Sequence, residues 1–180
     1  MIIDIAKTAK ETKVNLPDLI TRPVGRIMYA ATVEKLTIIQ TSETVILNFN
    51  GIKVLDSSFI DEYIVKLIID SGIKDFYIKL KNISTISEIN IDSVFNSYSI
   101  YNKSRIAVAR EEIGSNNRFY IGSITEQEID IMNYIRTNNW TSADDISRFT
   151  RVEVNELKLI LEQLSFLRLV KKYNGKFTTV

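Results

Sequence analysis

The sequence predicts an α/β layer domain followed by a small α+β domain, and three observations carry that expectation. Between Val45 and Ile121, β-branched and aromatic runs alternate with stretches of helical apolar spacing, the pattern of helices laid on a sheet. From Ile124 onward the alternation stops, and three helical stretches with short loops lead to a closing hairpin. The chain is long enough for both, since 180 residues with 45% hydrophobic and 25% charged composition suit one ordinary domain and a small second one. The change of pattern at Gly122-Ser123 sets the expected division at residues 1–122 and 123–180.

Val45 to Asp70 organises the first domain. Val45, Leu47 and Phe49 alternate with Ile46, Asn48 and Asn50, which predicts a buried strand, and Asn50-Gly51 ends it with a turn dipeptide. A short apolar run, Ile52 to Leu55, follows. Asp56-Ser57-Ser58 then precede Phe59, Ile60, Tyr63, Ile64, Leu67 and Ile68, whose spacing predicts a helix with one broad apolar face. Ser58 with Asp61 three residues on fits a capping box, and Gly72 suits the left-handed residue that closes a helix. The hydroxyls of Ser57 and Ser58 therefore lie at a helix N-terminus. Unpaired N–H groups and the helix dipole there favour an anion or a phosphorylated side chain.

Upstream, Met1 to Ala6 suits an edge strand, while Lys7 to Asp18 fits a loop, a hairpin arm or a short turn ending at Pro17. Thr21-Arg22-Pro23 opens a helix running from about Val24 to Ile39, with proline at its start as helices prefer. Its apolar stripe is Ile27, Ala30, Ala31 and Leu36, the paired alanines allowing a close approach to the sheet. Downstream, Phe76 to Leu80 predicts a strand joined to the first by a right-handed parallel crossover. Ser84 to Tyr101 predicts a helix with Ile86, Ile89, Val94, Tyr98 and Tyr101 as its apolar side. Arg105 to Arg110 and Arg118 to Ile121 predict two more strands, with a turn at Ser115-Asn116-Asn117 between them.

Asp56-Ser57-Ser58 after an apolar strand resembles the loop of the STAS domains, the anti-sigma-factor antagonist fold, in which a serine at the start of this helix is phosphorylated by a partner kinase. Ser58-Phe59-Ile60-Asp61-Glu62, with Asn48-Phe49-Asn50-Gly51-Ile52 upstream and Gly25-Arg26 ahead of Ala30, looks closer still to the uncharacterised STAS-like branch of bacterial and archaeal proteins. The likeness spans Arg22 to Ile69, and Phe59 departs from it, standing where the antagonists carry glycine. The resemblance implies a STAS-like mixed sheet with helices and a kinase-like ATPase as protein partner. It makes Ser58, and after it Ser57, the phosphoacceptor, with Asp56, Phe59, Asp61 and Glu62 as the docking surroundings.

In the second domain Thr125 to Asn138 predicts a helix started by a Thr125–Glu128 capping box, with Ile129, Met132 and either Ile135 or Tyr134 facing inward. Asp144 to Phe149 predicts a short second helix, and Val152 to Leu167 a third, carrying Val154, Leu157, Leu161 and Leu164. Leu169 to Tyr173 and Lys176 to Val180 predict a hairpin around Asn174-Gly175. Three helices and a hairpin resemble the winged helix-turn-helix regulators. In those modules the third helix enters the major groove of duplex DNA and wing cations hold phosphates. The resemblance implies Arg151, Asn155 and Lys158 at the bases and Lys171, Lys172 and Lys176 on the wing, with Glu153 and Glu156 opposing phosphate contact.

Residue types limit the chemistry. The chain has no Cys and no His, which removes disulfides, thiolate nucleophiles, imidazole acid–base catalysis and nearly all common zinc and haem ligation. Asp61 and Glu62 are adjacent and point about 100° apart on a helix, so they do not both close on one ion unless other oxygens converge, and no other acidic cluster is visible. Neither a GxxxxGK[ST] loop nor a GxGxxG fingerprint is present. No catalytic residue, metal or cofactor is therefore expected, and the chain reads as a non-enzymatic regulatory protein, its first domain a partner-docking switch and its second a transcriptional output.

With 23 basic against 22 acidic residues the net charge is +1, and residues 124–180 hold eight of each, so a local patch must supply any contact with DNA. A homodimer would double that patch. The alternative is a protein–protein adaptor whose second domain mediates dimerisation or partner contact without DNA. The N-terminal apolar run is too short for a signal peptide and no stretch spans a bilayer, so no membrane association and a cytoplasmic location are expected.

Overall fold

The computed structural model describes residues 1–115 and 117–180, and the chain in it divides into two compact units, Met1–Ser123 and Ile124–Val180. The expected turn at residues 115–117 includes Asn116, which lies outside the described residues.

The first unit runs β1 (Ile2–Asp4), α1 (Ile5–Glu11), β2 (Asp18–Leu19), α2 (Arg22–Lys35), β3 (Thr44–Asn48), β4 (Val54–Leu55), α3 (Ser57–Ile60), α4 (Lys66–Lys74), β5 (Tyr77–Lys81), α5 (Thr85–Asn102), β6 (Ala107–Arg110) and β7 (Tyr120–Gly122). Five strands form one mixed sheet in the order β1-β3-β5-β6-β7, parallel except for β7. This is the expected α/β class. Strands β2 and β4 pair separately, in parallel. In β3, Val45 and Leu47 are buried opposite Ile78 and Leu80 of β5, as their alternation requires. Gly51, at φ +83°, permits the turn that follows, closed by the Ile52 N–H donating to the Phe49 carbonyl at 2.9 Å.

Helices α1, α2 and α5 differ from expectation. The edge strand stops at Asp4, and Ile5–Glu11, expected as the end of that strand and the start of a loop, hairpin arm or turn, form a helix that Asp4 caps by accepting the Lys7 N–H at 2.8 Å. In α2 the buried residues are Gly25, Met28 and Thr32, followed by Leu36, whereas Ile27 is exposed. The close approach comes from Gly25, not the alanines: a Cβ there would stand 2.8 Å from the Glu62 Cβ. In α5 the buried face is Ser87, Glu88, Ile91 and Phe95, and Ile86, Ile89 and Tyr101 are exposed. That rotation serves β4, which has a strand partner on one side only. On the other side Leu55 donates its N–H to Ser87 Oγ at 3.1 Å, and its carbonyl accepts from Asn90 Nδ2 at 2.8 Å. Buried Glu88 also meets buried Arg110 at 2.6 Å and accepts from the Ser115 N–H at 3.2 Å, which ties α5 to β6 and the segment after it.

From Ser57 the chain is helical to Lys74, with α3 and α4 joined by a π turn at Asp61–Val65. Gly72 does not end this helix; Asp75 takes the left-handed position, at φ 53°.

The second unit runs α6 (Glu126–Asn138), β8 (Thr141–Ser142), α7 (Ala143–Thr150), α8 (Val154–Phe166), β9 (Val170–Tyr173) and β10 (Lys176–Thr179). The Thr125–Glu128 capping box is present in both directions, at 2.8 and 3.2 Å. The three strands are antiparallel in the order β8-β10-β9, and Asn174 and Gly175 turn the hairpin at φ 48° and 74°. Ile129, Met132 and Ile135 are buried on α6, as are Leu157, Leu161 and Leu164 on α8. Among the described residues no helix is long and apolar enough to cross a membrane.

Candidate functional site

The start of α3 is capped by Asp56 rather than by Ser58. Its Oδ1 accepts the Phe59 N–H at 2.7 Å, and its Oδ2 accepts the Thr21 N–H from the start of α2 at 3.1 Å. Asp, Ser and Ser are all good caps, and the link to Thr21 selects the first of them. The helix thus begins at Ser57, and Ser57 and Ser58 occupy its first turn. Ser57 is exposed and Ser58 half-buried, and among the described residues neither hydroxyl makes a hydrogen bond. Phe59 is fully buried with its ring 5.1 Å from that of Tyr63. It is part of the core and has no surface with which to dock a partner.

The free hydroxyls line a groove of 310 Å³ between the first turn of α3 and the second half of α5, mixed in character. Arg22, Ser57, Ser58 and Asp61 line one side, and α5 contributes Ser93 and Ser97 together with Tyr98 and Tyr101.

Behind this groove lies a charge cluster on the π turn. Arg22 Nη1 stands 2.8 Å from Asp61 Oδ2 and 3.0 Å from Glu62 Oε1, so the two neighbouring carboxylates do meet one cation, a guanidinium delivered by another helix. Arg26 Nε lies 3.5 Å from Glu62 Oε2, which also receives the Lys66 ammonium. Glu62 is 5% exposed. The Lys66 hydrogen bond, followed by those of Arg22 and Arg26, outweighs the desolvation of burial and holds its carboxyl down to about 2. Glu62 also raises the Arg22 pKa, with Asp61 adding to the effect. The sequence did carry a signal for this cluster, because Arg22, Gly25 and Arg26 share one helical face and place a small residue between two cations.

In the second unit Arg151 is the left-handed residue that ends α7, at φ 61°, and Asn155 and Lys158 lie exposed on α8. Glu153 is the N-cap of α8, accepting the Asn155 N–H at 2.8 Å and the Glu156 N–H at 3.2 Å. Its carboxylate therefore has a structural task that its charge alone did not suggest. Lys158 and Lys172 come together along a groove of 370 Å³ with Glu162 and Phe177. The Lys172 ammonium sits 5.9 Å from the Phe177 ring. Arg151 and Asn155 do not line that groove; Lys176 is exposed and Lys171 half-buried. The solvent side of α8 also presents Leu159 and Phe166, 61% and 79% exposed. A wider groove on α6 and α7 holds the stacked rings of Tyr134 and Phe149, 4.4 Å apart.

Among the described residues no group of three or more acidic side chains is placed to hold a metal ion. No family model matches the chain, and no curated protein matches it.

Proposed function

We propose that the protein is a non-enzymatic regulator in which a STAS-like first unit takes a phosphoryl signal at Ser58 and a winged-helix second unit delivers the output to duplex DNA. The observation that carries this reading is the transfer of the capping task to Asp56, which leaves the Ser57 and Ser58 hydroxyls unbonded beside Arg22 in an open groove. In the proposed step Ser58 Oγ attacks the γ-phosphorus of a nucleoside triphosphate held by a kinase-like ATPase partner. The new O–P bond replaces the bond to the departing diphosphate, and the hydroxyl proton passes to a base on the partner. The phosphoryl group changes the charge of the groove that a partner meets, so the modification acts on docking more than on stability.

The DNA reading is supported by exposed Arg151 at the end of α7, Asn155 and Lys158 on α8, and Lys172 and Lys176 on the hairpin. A second reading, a protein–protein adaptor working without DNA, is favoured by exposed Leu159 and Phe166 on the same helix, which suit a protein surface better than a row of phosphates. Affinity purification of the chain from its native host, with mass spectrometry of what accompanies it, tests the proposal. A kinase-like ATPase is expected, recovered in different amount with Ser58→Ala. Recovery of no nucleotide-binding partner with either chain would overturn the switch.

A further inference from the structure

We propose that Arg22 is the binding residue for a phosphoryl group on Ser58, giving up Asp61 and Glu62 to take it. The inference rests on Ser58 as phosphoacceptor and adds the residue that recognises the product. Arg22 lines the same groove as Ser57, Ser58 and Asp61. Ser58 precedes Asp61 by three residues and Glu62 by four, the spacings of neighbours on a helix surface. A guanidinium already seated on Asp61 therefore lies in the groove that Ser58 lines, one helical turn along the same helix surface.

The exchange is favourable in charge and geometry. At present one nitrogen of Arg22 is shared between two carboxylates, at 2.8 and 3.0 Å. A phosphoryl group offers three acceptor oxygens and nearly two negative charges, which suits a bidentate guanidinium contact. Leaving Glu62 strands no buried charge, because Arg26 and Lys66 remain on it. Asp61 has a side chain 41% exposed and is taken up by water. Three cations, Arg22, Arg26 and Lys66, stand against three carboxylates, Asp61, Glu62 and Asp56, so the phosphoryl group does not enter a site of net negative charge. Asp56 is turned to the N–H groups of Thr21 and Phe59. Phosphorylation would accordingly loosen the start of α2 from the π turn and change the surface that a partner meets.

The test uses the full chain with phosphoserine genetically encoded at position 58, so that it does not depend on a host kinase. A ³¹P titration reads the second phosphate pKa, which is about 6 for an unpaired phosphoserine. Pairing with Arg22 places it lower, and Arg22→Gln should raise it by about half a unit or more. Equal values in the two chains would overturn the proposal. If Arg22→Gln does not fold, the Arg22 Nε–H resonance of the unsubstituted chain decides: a shift on introducing phosphoserine supports the exchange, and an unmoved resonance overturns it. A host that never phosphorylates Ser58 would remove the functional reading while leaving this electrostatic result intact.

Discussion

At the scale of single residues, Asp56 and Ser58 divide two tasks that a capping box would have given to one of them. Asp56→Ala should cost about 0.5–2 kcal/mol, as loss of a helix cap does, whereas Ser58→Ala should stay within about 0.5 kcal/mol. Urea unfolding of the two variants measures both, and the reverse order would return the cap to Ser58. The sequence points to Ser58 as the cap, through its spacing to Asp61, and misses Asp56 because the deciding bond comes from Thr21, 35 residues away.

Glu62 gives a pH dependence of definite sign. Its carboxyl lies at about 2 in the fold against an ordinary 4.5, so the stability it contributes is present above about 4.5 and is lost as the pH falls toward 2. Glu62→Gln should therefore be clearly less stable than the parent at neutral pH, with the gap closing through that acid window. Unfolding curves at a series of pH values check this, and a gap independent of pH would mean that Glu62 acts by packing alone.

At the scale of elements, the glycines of α2 and α4 should respond in opposite directions. Gly25→Ala forces a methyl group to within 2.8 Å of Glu62 Cβ and should destabilise by about 1–3 kcal/mol. Gly72 lies inside α4 with open space around it, so Gly72→Ala should stabilise by roughly 0.5–1 kcal/mol. Thermal melts of the two variants decide it. The strands β3 and β5 were legible because one face of each alternates with a polar neighbour. The α5 stripe was not, since isoleucines occupy several sides of that helix, and the buried side is set by Ser87 and Asn90 reaching the β4 backbone. Strands β2 and β8, two residues each, leave no periodic trace. The hairpin and the α6 capping box were legible for the opposite reason, being local motifs whose partners lie within a few residues.

At the scale of the whole molecule, the two units should be separable. The fragment from Ile124 to Val180 has its own buried residues on α6, α7 and α8 and its own sheet, and it should show a cooperative melt by circular dichroism. A fragment that does not fold would mean that the units share one core. In DNA binding, Lys172→Ala and Lys176→Ala should each weaken affinity for all sequences alike and lower the salt slope by about one, while Asn155→Ala should relax one base position. Anisotropy titration of the intact chain against genomic fragments at several salt concentrations reads this. Absence of binding even at low salt would leave the adaptor reading.

The central claim, that Ser58 is a phosphoacceptor, is tested most directly by the intact mass of the protein purified from its native host, compared with Ser58→Ala. A chain carrying one phosphoryl group that vanishes with Ser58→Ala is the expected result. A chain of unmodified mass under every growth condition, or a phosphoryl group that persists in Ser58→Ala, would contradict it.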